Sequence, residues 1–116
     1  MQIRVYYEDT DCGGVVYHSN YLKFCERARS EQFFENNIIF DDNGYFIVSK
    51  LDAKFIKPAK LGDLLEIKTK VIQQKKVSIL VNQVIYKDNI KIFEANILLA
   101  YMVKDKISPI PDYNFI

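Results

Sequence analysis

The densest run of reactive side chains in this 116-residue sequence is Glu8-Asp9-Thr10-Asp11-Cys12-Gly13-Gly14-Val15-Val16-Tyr17-His18-Ser19-Asn20. A carboxylate and a histidine on either side of paired glycines are groups that can activate water or attack a carbonyl. Gly13 and Gly14 permit a tight turn and the close approach of a ligand to the backbone. A helix starting at the end of the run would add unpaired N–H groups and a partial positive charge. Such a helix start suits a carboxylate, a phosphate or a developing oxyanion. Taken together, these features point to acyl transfer.

The same residues admit plainer roles. Asp9 and Asp11 are also turn formers, whose side chains bond their own backbone. Calcium is disfavoured, because the later liganding positions of an EF-hand loop are missing. His18 is the only histidine, so a multi-histidine metal site is excluded, and a lone histidine near a helix start is often a capping or packed residue. Cys12 with His18 would make a thiol nucleophile and its base. No spacing rule supports that pair, and a small buried cysteine is commoner. Cys25 reads as core. Two cysteines make neither a disulfide framework nor a four-ligand zinc site. No metal and no redox cofactor is expected.

Hydropathy periodicity supplies the elements that position this run. Residues 2–8 alternate, with Ile3, Val5 and Tyr7 on one side, and read as a strand. Asp9 to Gly14 breaks it with turn chemistry. A helix follows from an N-cap at Ser19 or Asn20 to about Asn36 or Asn37, with Tyr21, Phe24, Cys25, Ala28 and Gln32 on one face. Glu26-Arg27-Ala28-Arg29-Ser30-Glu31 reads as an ion-pairing surface.

After Asp41-Asp42-Asn43-Gly44 the period becomes two. One strand face carries Tyr45, Ile47, Leu51, Ala53 and Phe55 and ends at Pro58. Leu65, Ile67, Thr69 and Val71 line the next, then Val77, Ile79, Val81 and Ile85, then Phe93 to Val103. Gln73-Gln74-Lys75-Lys76 and Asp88-Asn89 are the hairpin turns. The order is β-α-β-β-β-β, an α+β fold whose curved antiparallel sheet wraps a single helix. The opposite strand faces also carry apolar groups, among them Phe46, Val48, Ile72, Leu80, Ile92 and Met102, which predicts a homo-oligomer.

Composition bounds the function classes. Hydrophobic residues make up 49% and charged residues 27%, as in a packed domain, and the length suits one domain over residues 1–116. Lys and Arg total 16 against 15 Asp and Glu, so nothing favours non-specific nucleic-acid binding. No apolar run approaches the roughly 18 residues of a membrane span. The first residues lack a secretory signal's apolar core, and a reduced cytoplasmic location is expected.

Tyr6 to Tyr21, followed by Phe24 and Glu26-Arg27-Ala28-Arg29-Ser30-Glu31, resembles the YbgC-type acyl-CoA thioesterases. These belong to the 4-hydroxybenzoyl-CoA thioesterase branch of the hotdog-fold superfamily. Phe55-Ile56-Lys57-Pro58-Ala59-Lys60-Leu61-Gly62-Asp63-Leu64-Leu65-Glu66 resembles the family's second landmark. The resemblance implies a hotdog fold, dimers pairing into tetramers, and active sites at subunit interfaces. It places the catalytic carboxylate on Asp11 and the subgroup's histidine on His18. The implied reaction is hydrolysis of an acyl thioester, with a helix-start N–H, that of His18, polarising the carbonyl.

Around that pair the reading assigns substrate contacts to Gly14, Val15, Tyr17 and Asn20. Phe24, Phe46 and Val48 would line the acyl pocket, and Lys75 and Lys76 would meet the phosphates of coenzyme A from a neighbouring subunit. Coenzyme A enters as part of the substrate, short acyl chains are expected, and no cofactor is needed. The family's associations also imply acyl carrier protein or the Tol–Pal envelope system as partners. Two other functions compete: a non-catalytic scaffold that binds acyl thioesters or acyl carrier protein, and a hotdog dehydratase or hydratase.

Overall fold

A computed structural model of the chain describes residues 1–113. The elements are β1 (Gln2–Arg4), α1 (His18–Glu35), β2 (Tyr45–Phe55), β3 (Leu64–Gln74), β4 (Ser78–Lys87), β5 (Ile90–Val103) and β6 (Lys106–Ile107). All pairings are antiparallel, in the order β1-β3-β4-β5-β2, with β6 beside the end of β5. Tyr21, Phe24, Cys25 and Ala28 turn one side of α1 onto the sheet and are buried there. Leu65, Ile79, Ile85 and Phe93 oppose them and are 0% exposed. Each large side chain so enclosed contributes roughly 1.5–3 kcal/mol. This is the hotdog architecture. No helix among the described residues is long and apolar enough to cross a membrane.

Several boundaries depart from simple periodicity. The first strand stops at Arg4 and the chain turns through a 3₁₀ segment, Tyr7–Asp9, so Tyr7 is 83% exposed instead of sharing the face of Ile3 and Val5. The turn is held locally, because the Asp9 carboxylate accepts the Tyr6 N–H at 2.8 Å. The helix begins at His18 with Tyr17 as its N-cap, two to three residues before the expected polar caps Ser19 and Asn20. At the far end of the sheet a second two-residue hairpin, Lys104-Asp105, adds β6. Like Asp88-Asn89 it has both φ values positive, the requirement of a type I′ turn.

Bulges account for the largest error in face assignment. The β2–β5 register slips between Val48 and Lys50, so Ser49 is the extra residue. Phe46 and Val48 therefore pair with Tyr101 and Leu99 and share the inner face with Leu51, Ala53 and Phe55, while Tyr45 and Ile47 turn outward. A second irregularity between Ile85 and Tyr86 leaves Ile92 unpaired with β4; it is 2% exposed in the core, not on the outer face.

Candidate active site

The reactive run forms a small antiparallel loop locked onto the helix start. The Asp11 N–H donates to the Val15 carbonyl at 2.9 Å, and the Gly14 N–H donates to the Asp11 carbonyl at 3.1 Å. Gly14 sits at φ 77, a conformation that a side chain would strain. Asp11 is itself an Asx turn: its Oδ1 accepts the Gly13 N–H at 2.8 Å. Among the described residues Oδ2 has no partner, and the side chain is exposed. One oxygen thus fixes the carboxylate and the other stays open.

A second loop clamps the first. The Val16 N–H donates to the Ala59 carbonyl at 2.8 Å, Val15 bridges Lys60, and the Leu61 N–H reaches the Gly14 carbonyl at 3.4 Å. From the helix, the buried Tyr21 hydroxyl accepts the Ala59 N–H at 3.0 Å. The two landmark segments are therefore one unit. The sequence reading placed Tyr21 on the core face but missed its hydroxyl as the tie; a phenol at the third turn-facing position of the helix was the available signal.

His18 occupies the first helical position, exposed, with its ring 4.4 Å from Tyr17 and 6.5 Å edge-on from Phe55. Tyr17 has extended backbone (φ −64, ψ 135) and makes no side-chain cap; the Asn20 N–H donates to the Tyr17 carbonyl at 2.9 Å, and the His18 and Ser19 N–H groups have no partner among the described residues. Asn20 does not touch Asp11 or His18. Its Nδ2 donates to the Asp9 carbonyl at 2.9 Å, which also accepts the Tyr17 N–H at 2.9 Å. Asn20 is thus an anchor for the loop. No hydrogen bond joins Asp11 to His18 among the described residues.

Of the expected acyl-pocket residues, Val48 lines a hollow. It shares with Leu22, Leu51 and Ile97 an open apolar groove of about 390 Å³ between α1 and β2. Phe24 is 1% exposed, because its place on the face of Tyr21 and Cys25 drives it into the core. Phe46 stacks on Phe33 at 5.6 Å and meets Phe40 and Tyr101, so it closes the other end of the core. Lys75 and Lys76 are exposed at the β3–β4 turn. The full length of β3, roughly 36 Å at strand rise, separates them from Gly62 and the loop it supports.

Electrostatics distinguish the nearby groups. Burial pushes the Asp63 carboxyl up, but the Lys60 N–H at 2.7 Å and the Lys87 ammonium at 3.0 Å outweigh it and hold it below its ordinary value. Burial raises the Cys25 thiol to about 12 despite the pull of Arg29, which leaves it inert at neutral pH. Cys12 is exposed on the loop.

The thioesterase superfamily model matches residues 13–93. An acyl-CoA thioesterase YbgC of Helicobacter pylori is 42% identical, over 95% of this chain and 90% of that protein. The acyl-CoA thioester hydrolase YbgC of Escherichia coli is 37% identical, over 92% and 84%. Among solved structures, a probable thioesterase from Bartonella henselae superposes with a TM-score of 0.89 at 30% identity, covering 96% of this chain and 97% of that one. With a locked carboxylate loop beside an open helix start on a hotdog shell, the chain belongs to the thioesterase superfamily, among its YbgC-type thioester hydrolases.

Proposed function

We propose that the protein hydrolyses acyl-CoA thioesters, with Asp11 as the catalytic carboxylate and the N–H groups at the start of α1 as oxyanion donors. The observation that carries this reading is the Asx turn at Asp11, which holds one carboxylate oxygen and leaves the other open beside a helix start with no cap. Asp11 either takes the proton of a water that attacks the carbonyl, or attacks it directly to give a mixed anhydride that water then opens. In both routes a C–O bond forms, the C–S bond breaks, and the departing thiolate takes up a proton. The oxyanion is stabilised where N–H groups and the helix dipole already point. His18 orients water or substrate, and Gly14, Val15 and Tyr17 shape the approach.

The groove between Leu22, Val48, Leu51 and Ile97 supports a short acyl group, since 390 Å³ lies at the small end of ligand pockets. Leu22 stands one helical turn beyond His18, and Phe55 lies in line with Leu51 on β2, so the groove continues from the reacting end. Asp11, His18 and this groove are all open to solvent in a single chain. The 11-residue β2 is a sheet edge bearing exposed Ile47, Val48, Leu51 and Phe55. An unprotected edge of this kind favours pairing with a second copy, which would close the groove and bring a partner's Lys75 and Lys76 towards the nucleotide. Sedimentation should give a dimer or a dimer of dimers; a monomer at working concentration contradicts this assembly.

Thiol release from a panel of aliphatic and aromatic acyl-CoAs tests the function. The wild type should turn over short members, and Asp11→Asn should lose at least about a hundredfold, the lower end for general acid–base catalysis. Full activity in folded, oligomeric Asp11→Asn overturns the assignment. Binding without turnover in the wild type would instead favour an acyl-thioester scaffold that docks acyl carrier protein or a Tol–Pal partner.

A further inference from the structure

A separate hollow of about 700 Å³ opens between the second half of α1 and strands β3 and β4. Its walls are apolar at Phe33, Val71, Ile79 and Val81, and Arg29 and Asp112 also line it; Lys70 borders it from β3, where alternation turns its side chain to the outer face with Asn82. Arg29 lies roughly 16 Å along α1 from His18. Its guanidinium is half-buried, and Nη1 donates to the Gln83 Oε1 at 2.9 Å. Gln83 is 0% exposed, and its amide nitrogen is committed to the Cys25 carbonyl and the Thr69 hydroxyl at 2.8 and 2.9 Å. The guanidinium is therefore held in one orientation by a fully used buried amide.

Arg29 has no ion-pair partner among the described residues, although five N–H donors are available on a guanidinium. Glu26 acts on it only through space, and a cation drawn out of water without a counter-charge in contact is costly. A carboxylate is the group that a fixed guanidinium fork recognises best. An apolar floor with a locked arginine beside it specifies both halves of a ligand.

We propose that this hollow is a binding site for an amphipathic carboxylate, its anion on Arg29 and its hydrocarbon on Val71, Ile79 and Val81. The volume is within the range of small-molecule pockets. The proposal involves neither Asp11 nor the helix start, and Arg29 is the one residue that this hollow shares with the lining of the groove assigned to the acyl group.

The chain contains no tryptophan, so Gln32→Trp, at an exposed helix position on the mouth of the hollow, gives a single fluorescent reporter. Titration with decanoate below its micelle concentration should give a saturable emission change. Decanol, with the same chain and no charge, should bind at least about tenfold more weakly, as expected when charge-assisted hydrogen bonds are lost. In the reporter background, Arg29→Gln should weaken decanoate by about the same factor. Val71→Phe should abolish the response by filling the floor. Equal affinity for decanol and decanoate, an unaltered response in Val71→Phe, or no saturable change in the folded reporter overturns the proposal.

Discussion

The two ends of α1 are built on opposite principles. At its C-terminus the helix closes on itself: the Asn37 N–H returns to the Phe34 carbonyl at 3.0 Å and the Ile38 N–H to the Phe33 carbonyl at 2.9 Å. Asn37 takes φ 60, and Ile38 is buried as the motif's hydrophobic partner. At its N-terminus there is no cap, although Ser19 and Asn20 lie within two residues of the start. The hydrogen bonds gather one layer further out, in the loops that surround the open N–H groups. A helix that satisfies one end fully and leaves the other unfilled has its dipole available for a ligand at the unfilled end.

The largest expected effect isolates those N–H groups. Tyr17 already has the extended backbone that a following proline demands, and proline is well tolerated at the first helical position. His18→Ala removes the ring and keeps the N–H; His18→Pro removes both. If that N–H polarises the thioester, kcat of the proline variant should fall a further ~10²–10³-fold below that of the alanine variant. Equal rates in two folded variants would remove His18 N–H from the mechanism.

Next in size is the clamp between the loops. Tyr21→Phe leaves the buried Ala59 N–H without its acceptor, which should cost about 1–3 kcal/mol in urea unfolding. The same change should lower kcat by loosening the loop that carries Asp11. Stability that is lost without any change in kcat would show that the clamp serves folding alone.

The closed end should respond in stability only. Asn37→Ala removes the short polar side chain that lets a non-glycine residue tolerate φ 60 and should cost about 1 kcal/mol, with thiol release per folded molecule unchanged. Asn37→Gly should be neutral or slightly stabilising in the same denaturation series. A drop in kcat for either variant would break the contrast between the two ends.

The smallest effect is a pH dependence. The folded Asp63 carboxyl titrates below its unfolded value, so its contribution is present above the unfolded value and is lost as pH falls through the folded one. Asp63→Asn should therefore flatten the decline of the melting temperature on the acid side, below about pH 4. An identical decline in variant and wild type would assign it to other carboxylates.

Much of this contrast was legible beforehand. The reactive run, the single helix and the long strands follow from turn chemistry and periodicity, because Phe93 to Leu99 and Ile79 to Gln83 alternate between buried and more exposed positions. The bulge at Ser49 has no comparable local mark; it reverses Phe46 and Val48 through the geometry of pairing with β5. Gln83 escaped notice for a related reason. A polar residue at an inward register looks like an interruption until the helix brings Arg29 and the Cys25 carbonyl to meet it. Tyr7 shows the opposite error, an apolar ring in perfect alternation that the 3₁₀ turn carries out to solvent.

The position of β2 has a consequence for synthesis. Among the described residues its one hydrogen-bonded neighbour strand is β5, and Phe55 pairs with Phe93. At translation rates of 5–20 residues per second, the partner emerges roughly 2–8 s later. During that interval an 11-residue strand with Ile47, Val48, Leu51 and Phe55 has neither edge covered. Lys50, Asp52 and Lys54, spaced along its outward face, act as gatekeepers over the nascent chain's most exposed interval.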